Sequence, residues 1–306
     1  MYKLIAITVF CILCIIGCTL KDEHNPGIGT PQLSKDDKII YFQYHEGWNS
    51  SICRMGIKDS LFEQIVPCTN EFSFYLPRLS DDGEKIVFIG KNFQATLDKA
   101  FMANADGSSV QGLFTSKRIY EAFLSKNRNE IIYSKPDTIA NYSPIARKSA
   151  HGYDIFSFDM ENKITNKLTN FNSYEINGVS DYKNDSLLYN DKDVDGICAI
   201  ARNNPSQPRV IIKNNKPGDI NYMFYYPIFV EKYNIIVFQN SYQLYQIKGN
   251  NQIKLIYQSD KMIESFCVFN TLPRILFTLK GEFCFYSINF DGTDLERKEL
   301  KQNNDF

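Results

Sequence analysis

Three carboxylates at alternate positions, in Asp191-Lys192-Asp193-Val194-Asp195 followed by Gly196, have the spacing that comes nearest to a recognisable chemistry. Such a loop turns each oxygen inward around a hard cation such as calcium, and the glycine permits the sharp bend. The motif is incomplete. An EF-hand-type loop wants an acid at its closing position, where Arg202 stands, and a shorter version wants one where Ala199 stands. The plainer account of Asp191, Asp193 and Asp195 is an Asp-rich turn in solvent, so calcium is the only cofactor the sequence suggests.

Other chemistry has little to work with. No Gly-x-Ser-x-Gly occurs, so a nucleophile elbow and the hydrolase domain built around it are absent. Histidines number three, His24, His45 and His151, and lie far apart in the chain. The one Cys-x-x-Cys, Cys11-Ile12-Leu13-Cys14, lies inside the apolar N-terminal run, which leaves a zinc site unsupported. The 35 Asp and Glu residues include no pair whose placement demands a general acid and base. The 34 Lys and Arg balance them almost fully, and a near-neutral chain lacks the basic surface that neutralises nucleic-acid phosphates.

Whatever the function, a repeated strand unit must position it. In Pro77–Gly90, Ser80-Asp81-Asp82-Gly83 is a tight turn, with Gly83 free to take positive φ. Lys85-Ile86-Val87-Phe88-Ile89 follows and is apolar on both alternating faces, which predicts a strand buried on both sides. The pattern starts again at Pro31, Ala122, Asn177, Pro227 and Cys267, every 40 to 55 residues. After each copy comes a strand, a polar turn and another strand. Four strands repeated six times predict an all-β, six-bladed β-propeller of four-stranded antiparallel blades over residues 31–302. First strand to fourth strand leaves none to swap between the first and last blades, so side-chain packing alone is expected to close the ring.

Pro-x-Leu-Ser-x-Asp-Gly-x-Lys-Ile-x-Phe, followed by the Asp106-Gly107 half that leads to Thr115, resembles the TolB-like propeller repeat, also called the WD40-like repeat of the PD40 type. Pro77 to Thr115 carries the likeness best, with Tyr153 to Thr169 and Ile288 to Leu300 matching the second half. The resemblance implies the fold and leaves the activity open.

Residues 1–17 hold Lys3 and then an uncharged apolar run from Leu4 to Ile16, which reads as a signal peptide. Ile15-Ile16-Gly17-Cys18 resembles a bacterial lipobox, which implies acylation of Cys18 and a membrane anchor. Residues 18–30 read as a strandless tether. Its Lys21-Asp22-Glu23 resembles the export signal of Bacteroidota surface lipoproteins, so the expected location is the outer membrane, facing either outward or the periplasm.

Eight cysteines include three in the leader, at 11, 14 and 18. Cys53 and Cys68 fall out of register in the predicted hairpin and are not expected to bridge. Cys53, Cys198 and Cys284 fall in third strands as small buried hydrophobes. Pro136–Gly152, with Arg147, Lys148 and His151, reads as a long surface loop in blade three.

Connectors between blades ring the central opening, and here they are rich in aromatic residues. Tyr75, Tyr120, Tyr174 and Tyr225, with Arg118 and Glu121, are the predicted partner-binding residues, because Tyr and Arg dominate interface hot spots. The expected function is a non-catalytic, lipid-anchored binding module for a protein or glycan. The alternative is a lyase-like or glycosidase-like propeller enzyme with acidic residues in the central depression. Carboxylates from three or more blades converging in one pocket would favour the alternative.

Overall fold

The computed structural model describes residues 26–92, 97–126, 129–141, 148–214, 223–249 and 252–301, and the side chains of 139–149 are also outside that description. Residues 1–17, Cys18, Lys21-Asp22-Glu23 and Arg147 therefore lie outside the described residues.

Six four-stranded antiparallel sheets follow one another along the chain, each built from four consecutive strands. Blade one is β1 (Gly27–Leu33), β2 (Ile39–Glu46), β3 (Asn49–Gly56) and β4 (Glu63–Val66). Blade two is β5 (Ser73–Leu79), β6 (Lys85–Lys91), β7 (Asp98–Asn104) and β8 (Gln111–Ser116), and blade three is β9 (Glu121–Leu124), β10 (Glu130–Asn141), β11 (Lys148–Asp159) and β12 (Thr165–Lys167). Blade four is β13 (Ile176–Tyr182), β14 (Ser186–Asp191), β15 (Gly196–Ala201) and β16 (Asn204–Lys213). Blade five is β17 (Tyr225–Val230), β18 (Ile235–Gln239), β19 (Gln243–Lys248) and β20 (Gln252–Gln258), and blade six is β21 (Ile263–Val268), β22 (Arg274–Leu279), β23 (Cys284–Asn289) and β24 (Glu296–Glu299). The six-bladed propeller is thus confirmed.

The repeated turn works as its residues require. Ser80 Oγ accepts the Lys85 N–H at 2.9 Å and Ser34 Oγ accepts that of Ile39 at 2.9 Å, while Gly83 takes φ +78°. Second strands are buried on both faces, Ile86, Val87, Phe88 and Ile89 all completely. Each apolar core fills the space between two neighbouring blades. Val87 and Ile89 pack with Ile131 and Tyr133 of blade three, and Ile86 and Phe88 with Ile52 and Val66 of blade one.

A feature the repeat did not reveal shapes the centre. Innermost strands break register at a bulge, between Gly29 and Gln32, Tyr75 and Arg78, Asn177 and Ser180, and Tyr225 and Ile228. At each break one residue has positive φ: Thr30 at +50°, Leu76 at +56°, Gly178 at +64° and Tyr226 at +51°. Proline follows three of them, at Pro31, Pro77 and Pro227. Lacking an N–H, it suits a bulge, where the ladder asks for no donor. The strand therefore continues on the N-terminal side of the proline. Gly27–Thr30, expected as tether, belongs to β1, and Tyr75 and Tyr225, expected in connectors, belong to β5 and β17.

Ring closure uses no swapped strand, but it is more than packing. Phe42 of blade one meets Phe285 of blade six edge to face at 5.3 Å within their shared core. Asp37, 7% exposed in the first turn of blade one, accepts the Asn270 N–H at 2.8 Å, the Thr271 N–H at 2.7 Å and the Thr271 hydroxyl at 2.6 Å from blade six. Thr30 N–H donates to Ser265 Oγ at 2.7 Å, and a parallel bridge joins Leu61 to Lys301. The expectation of packing alone is corrected: hydrogen bonds staple the first and last blades.

The expected surface loop of blade three is largely a hairpin extension. Pairing runs past Pro136↔Tyr153 and Thr138↔His151 to Asn141↔Lys148, because strand alternation persists through the insertion. Cys53 sits opposite Gln64 and is free, as is Cys68, so no bridge joins them. Cys53, Cys198 and Cys284 are buried in third strands.

Candidate functional site

A cavity of about 550 Å³ opens at the centre of the ring on the connector side. Innermost strands of five blades wall it, since Thr30, Tyr75, Glu121, Tyr226 and Glu264 all line it. The bulges make this wall: they turn the backbone so that residues before the proline face the centre. Gly29 adds room, because a Cβ there would stand 3.5 Å from Glu264 Oε1.

Charge enters the wall in three places. On the side of blades two and three, Lys91 and Asp98 are paired across β6 and β7, and Asp98 Oδ2 accepts the Ile119 N–H at 2.9 Å. Lys91 Nζ lies 4.9 Å over the Tyr75 ring, and the Tyr75 hydroxyl donates to the Trp48 carbonyl at 3.3 Å. Burial raises the Asp98 carboxyl, against the pull of Lys91 and Arg118. Arg118 itself is exposed at the mouth, beside the Tyr153 hydroxyl, with φ +42°.

Deeper, Glu121 is 6% exposed and its Oε1 accepts the Val179 N–H at 2.6 Å. Burial pushes its carboxyl up to about 7, although the Arg78 guanidinium and the N–H groups of Val179 and Gly178 pull it down. Tyr120 stacks edge-on to Tyr153 at 5.8 Å and donates to Glu175 Oε1 at 3.1 Å. Glu264 of blade six is the third charged place. It meets the water of the cavity but is hemmed in by protein, which raises its carboxyl, with Lys280 acting in the opposite direction.

On the opposite face, Lys126 Nζ lies 3.1 Å from Glu231 of blade five and 3.7 Å from Asp81 of blade two. Those blades face one another in a ring of six, so these ion pairs cross the far opening.

Of the predicted residues, Tyr75, Arg118, Tyr120 and Glu121 come together in the cavity. Tyr174 and Tyr225 do not line it. Tyr174 is 40% exposed in the connector, 5.8 Å from the His151 ring and under Lys192 Nζ at 5.0 Å. The Tyr225 hydroxyl donates to Met223 Sδ at 3.4 Å. Tyr226 and Glu264 fall in the stretches expected to ring the opening without having been singled out, and Arg78, Lys91 and Asp98 were missed. A register aligned on the Pro after each bulge would have found Arg78 and Tyr226, whereas Lys91 and Asp98 lie on second and third strands and carry no repeat signal.

The Asp-rich turn sends its carboxylates to separate tasks. Asp191 Oδ1 accepts from the Ser173 hydroxyl at 2.6 Å and the Asp193 N–H at 3.0 Å, Asp193 accepts the Tyr174 N–H at 3.0 Å, and Asp195 faces Asn214 Nδ2 at 3.4 Å. Among the described residues no group of three or more His, Cys, Asp or Glu is placed to hold a metal ion. The turn ties the connector to blade four.

Because Glu121 titrates higher folded than unfolded, the native state keeps a proton that the unfolded chain releases between about pH 4.5 and 7. Stability from this group is therefore present below that window and lost as pH rises through it, by on the order of 3 kcal/mol. Glu121→Gln keeps the acceptor for Val179 and is expected to flatten this slope and to be the more stable form at pH 8. Melting curves across pH check it; superimposable profiles would contradict the assignment.

The ring and its walled centre define a six-bladed propeller with a central pocket. No family model matches the chain, and no curated protein matches it by sequence. Solved structures with the same fold include a nidogen/laminin complex (TM-score 0.65, 8% identity, covering 89% of this chain and 94% of that one). TolB from Acinetobacter baumannii is another (TM-score 0.64, 8% identity, 92% of this chain, 65% of that one). The propeller domain of the trilobed protease from Pyrococcus furiosus, described as having an open velcro topology, is a third (TM-score 0.52, 13% identity, 89% and 82%). At such identities the likeness is one of fold.

Proposed function

We propose that this chain is a lipid-anchored propeller of the bacterial outer membrane that binds a protein or glycan partner at the face carrying the central cavity. The observation that carries this reading is the cavity itself, where Tyr75 of blade two meets Arg118, Tyr120 and Glu121 at the start of blade three. Its volume falls within the roughly 300 to 1,000 Å³ of small-molecule sites, so it holds one group of a partner, a residue or a sugar, while the rim meets the rest. Affinity capture from native envelopes tests it. A partner retained saturably by the wild type, and displaced by excess free protein, is expected; retention of nothing above background would overturn the reading.

The anchor has its own test. Cys18→Ala removes the acyl acceptor and is expected to abolish labelled palmitate incorporation and to release the protein from membranes. Palmitate on that variant would contradict lipidation at Cys18.

A second reading, an enzyme, is favoured by one observation: Asp98, Glu121 and Glu264, from blades two, three and six, line the same cavity, and Glu121 titrates near neutrality as a general acid does. If it holds, Glu121→Gln ends turnover of a captured glycan and leaves its capture intact.

A further inference from the structure

Charge around the cavity is divided rather than mixed. Lys91 and Arg118 share a single carboxylate, Asp98, which leaves the wall of blades two and three with an excess positive charge. Arg78 acts on Glu121 deeper in. Glu264 is the carboxylate of the blade six wall, with Gly29 beside it instead of a side chain; the charge of Lys280 acts on it, but it forms no hydrogen bond or ion pair among the described residues. Blade six lies opposite blade three in a ring of six, so the cationic and anionic walls face each other across the opening. Tyr75 of blade two and Tyr226 of blade five also line the cavity.

We infer that the cavity takes a small zwitterion of the amino-acid or dipeptide class, its ammonium group on Glu264 and its carboxylate on Arg118, with the aromatic rings against its body. This rests on the cavity being the binding site and specifies what that site recognises. A ligand of one sign would satisfy one wall and face the other without complementing it, whereas a molecule with both ends satisfies both.

Calorimetric titration of the full-length protein with alanyl-phenylalanine, its N-acetyl form and its C-terminal amide tests the inference. The free dipeptide is expected to bind, and each blocked form to bind at least about tenfold more weakly, as loss of one charged hydrogen bond dictates. Glu264→Gln is expected to erase the difference made by acetylation, and Arg118→Gln that made by amidation, each with an unchanged melting temperature. Absence of dipeptide binding, or equal binding of the blocked forms, overturns the zwitterion. If the dipeptide fails while Tyr75→Ala/Tyr120→Ala still loses the captured partner, the ligand class alone is wrong; if both fail, so does the cavity as the site.

Discussion

Asp37→Ala is expected to cost about 3 kcal/mol or more. Its carboxylate takes four hydrogen bonds from Asn270 and Thr271, and these tie blade six to blade one in a ring that has no strand shared between them. Alanine removes the acceptor of two part-buried backbone N–H groups at the one joint where chain connectivity gives no help. It also places a Cβ residue without a polar side chain at φ +57°, so Asp37→Asn, which tolerates that conformation, separates the backbone part from the hydrogen-bond part. Asp36→Ala in the same turn is the control, because Asp36 serves only Ser34 and Lys38 of its own blade. Denaturant melts of the three variants check this. A loss at Asp36 equal to that at Asp37 would show that the turn matters and the joint does not.

Gly178→Ala has a comparable expected effect for a different reason. A Cβ there would fall 2.5 Å from Tyr226 Cα and 2.7 Å from Pro227 Cδ, and the residue sits at φ +64°. Backbone has no far end to swing away, so blades four and five must part or the bulge must unwind, at about 3 kcal/mol or more. Gly281→Ala isolates the torsional share, since Gly281 has φ +77° with nothing within 4 Å of its Cβ position, and it is expected to lose only about 1 kcal/mol. Equal losses at both glycines would remove the close approach of the two blades from the account.

The second strands were legible because Ile86-Val87-Phe88-Ile89 and its counterparts are apolar on both faces, and the serine and glycine turns before them fix where each begins. Blade number followed from their recurrence. The innermost strands were misread by a few residues, because proline after Thr30, Leu76 and Tyr226 reads as a strand start, and only the bulge shows the strand running through it. That same misreading placed Tyr75 and Tyr225 in connectors. Equal spacing from the next strand then made Tyr174 look equivalent to Tyr75 and Tyr120, although Asn177, three residues before the register resumes at Ser180, holds the corresponding place in β13. Glu264 lies in a stretch the sequence already set around the opening, but nothing there singled it out, since what distinguishes it is the glycine of another blade, Gly29, more than two hundred residues away.

Central to this account is that the partner enters the cavity rather than resting on the rim, and the four tyrosines divide cleanly on that question. Quantitative capture of the envelope partner by Tyr75→Ala/Tyr120→Ala and by Tyr174→Ala/Tyr225→Ala, with melting temperatures measured alongside, tests it most directly. The cavity pair is expected to lose at least about tenfold in capture and the other pair to lose little, as central, enclosed contacts outweigh peripheral ones. Loss confined to the Tyr174 and Tyr225 variant, with the cavity pair binding as the wild type does, would contradict it.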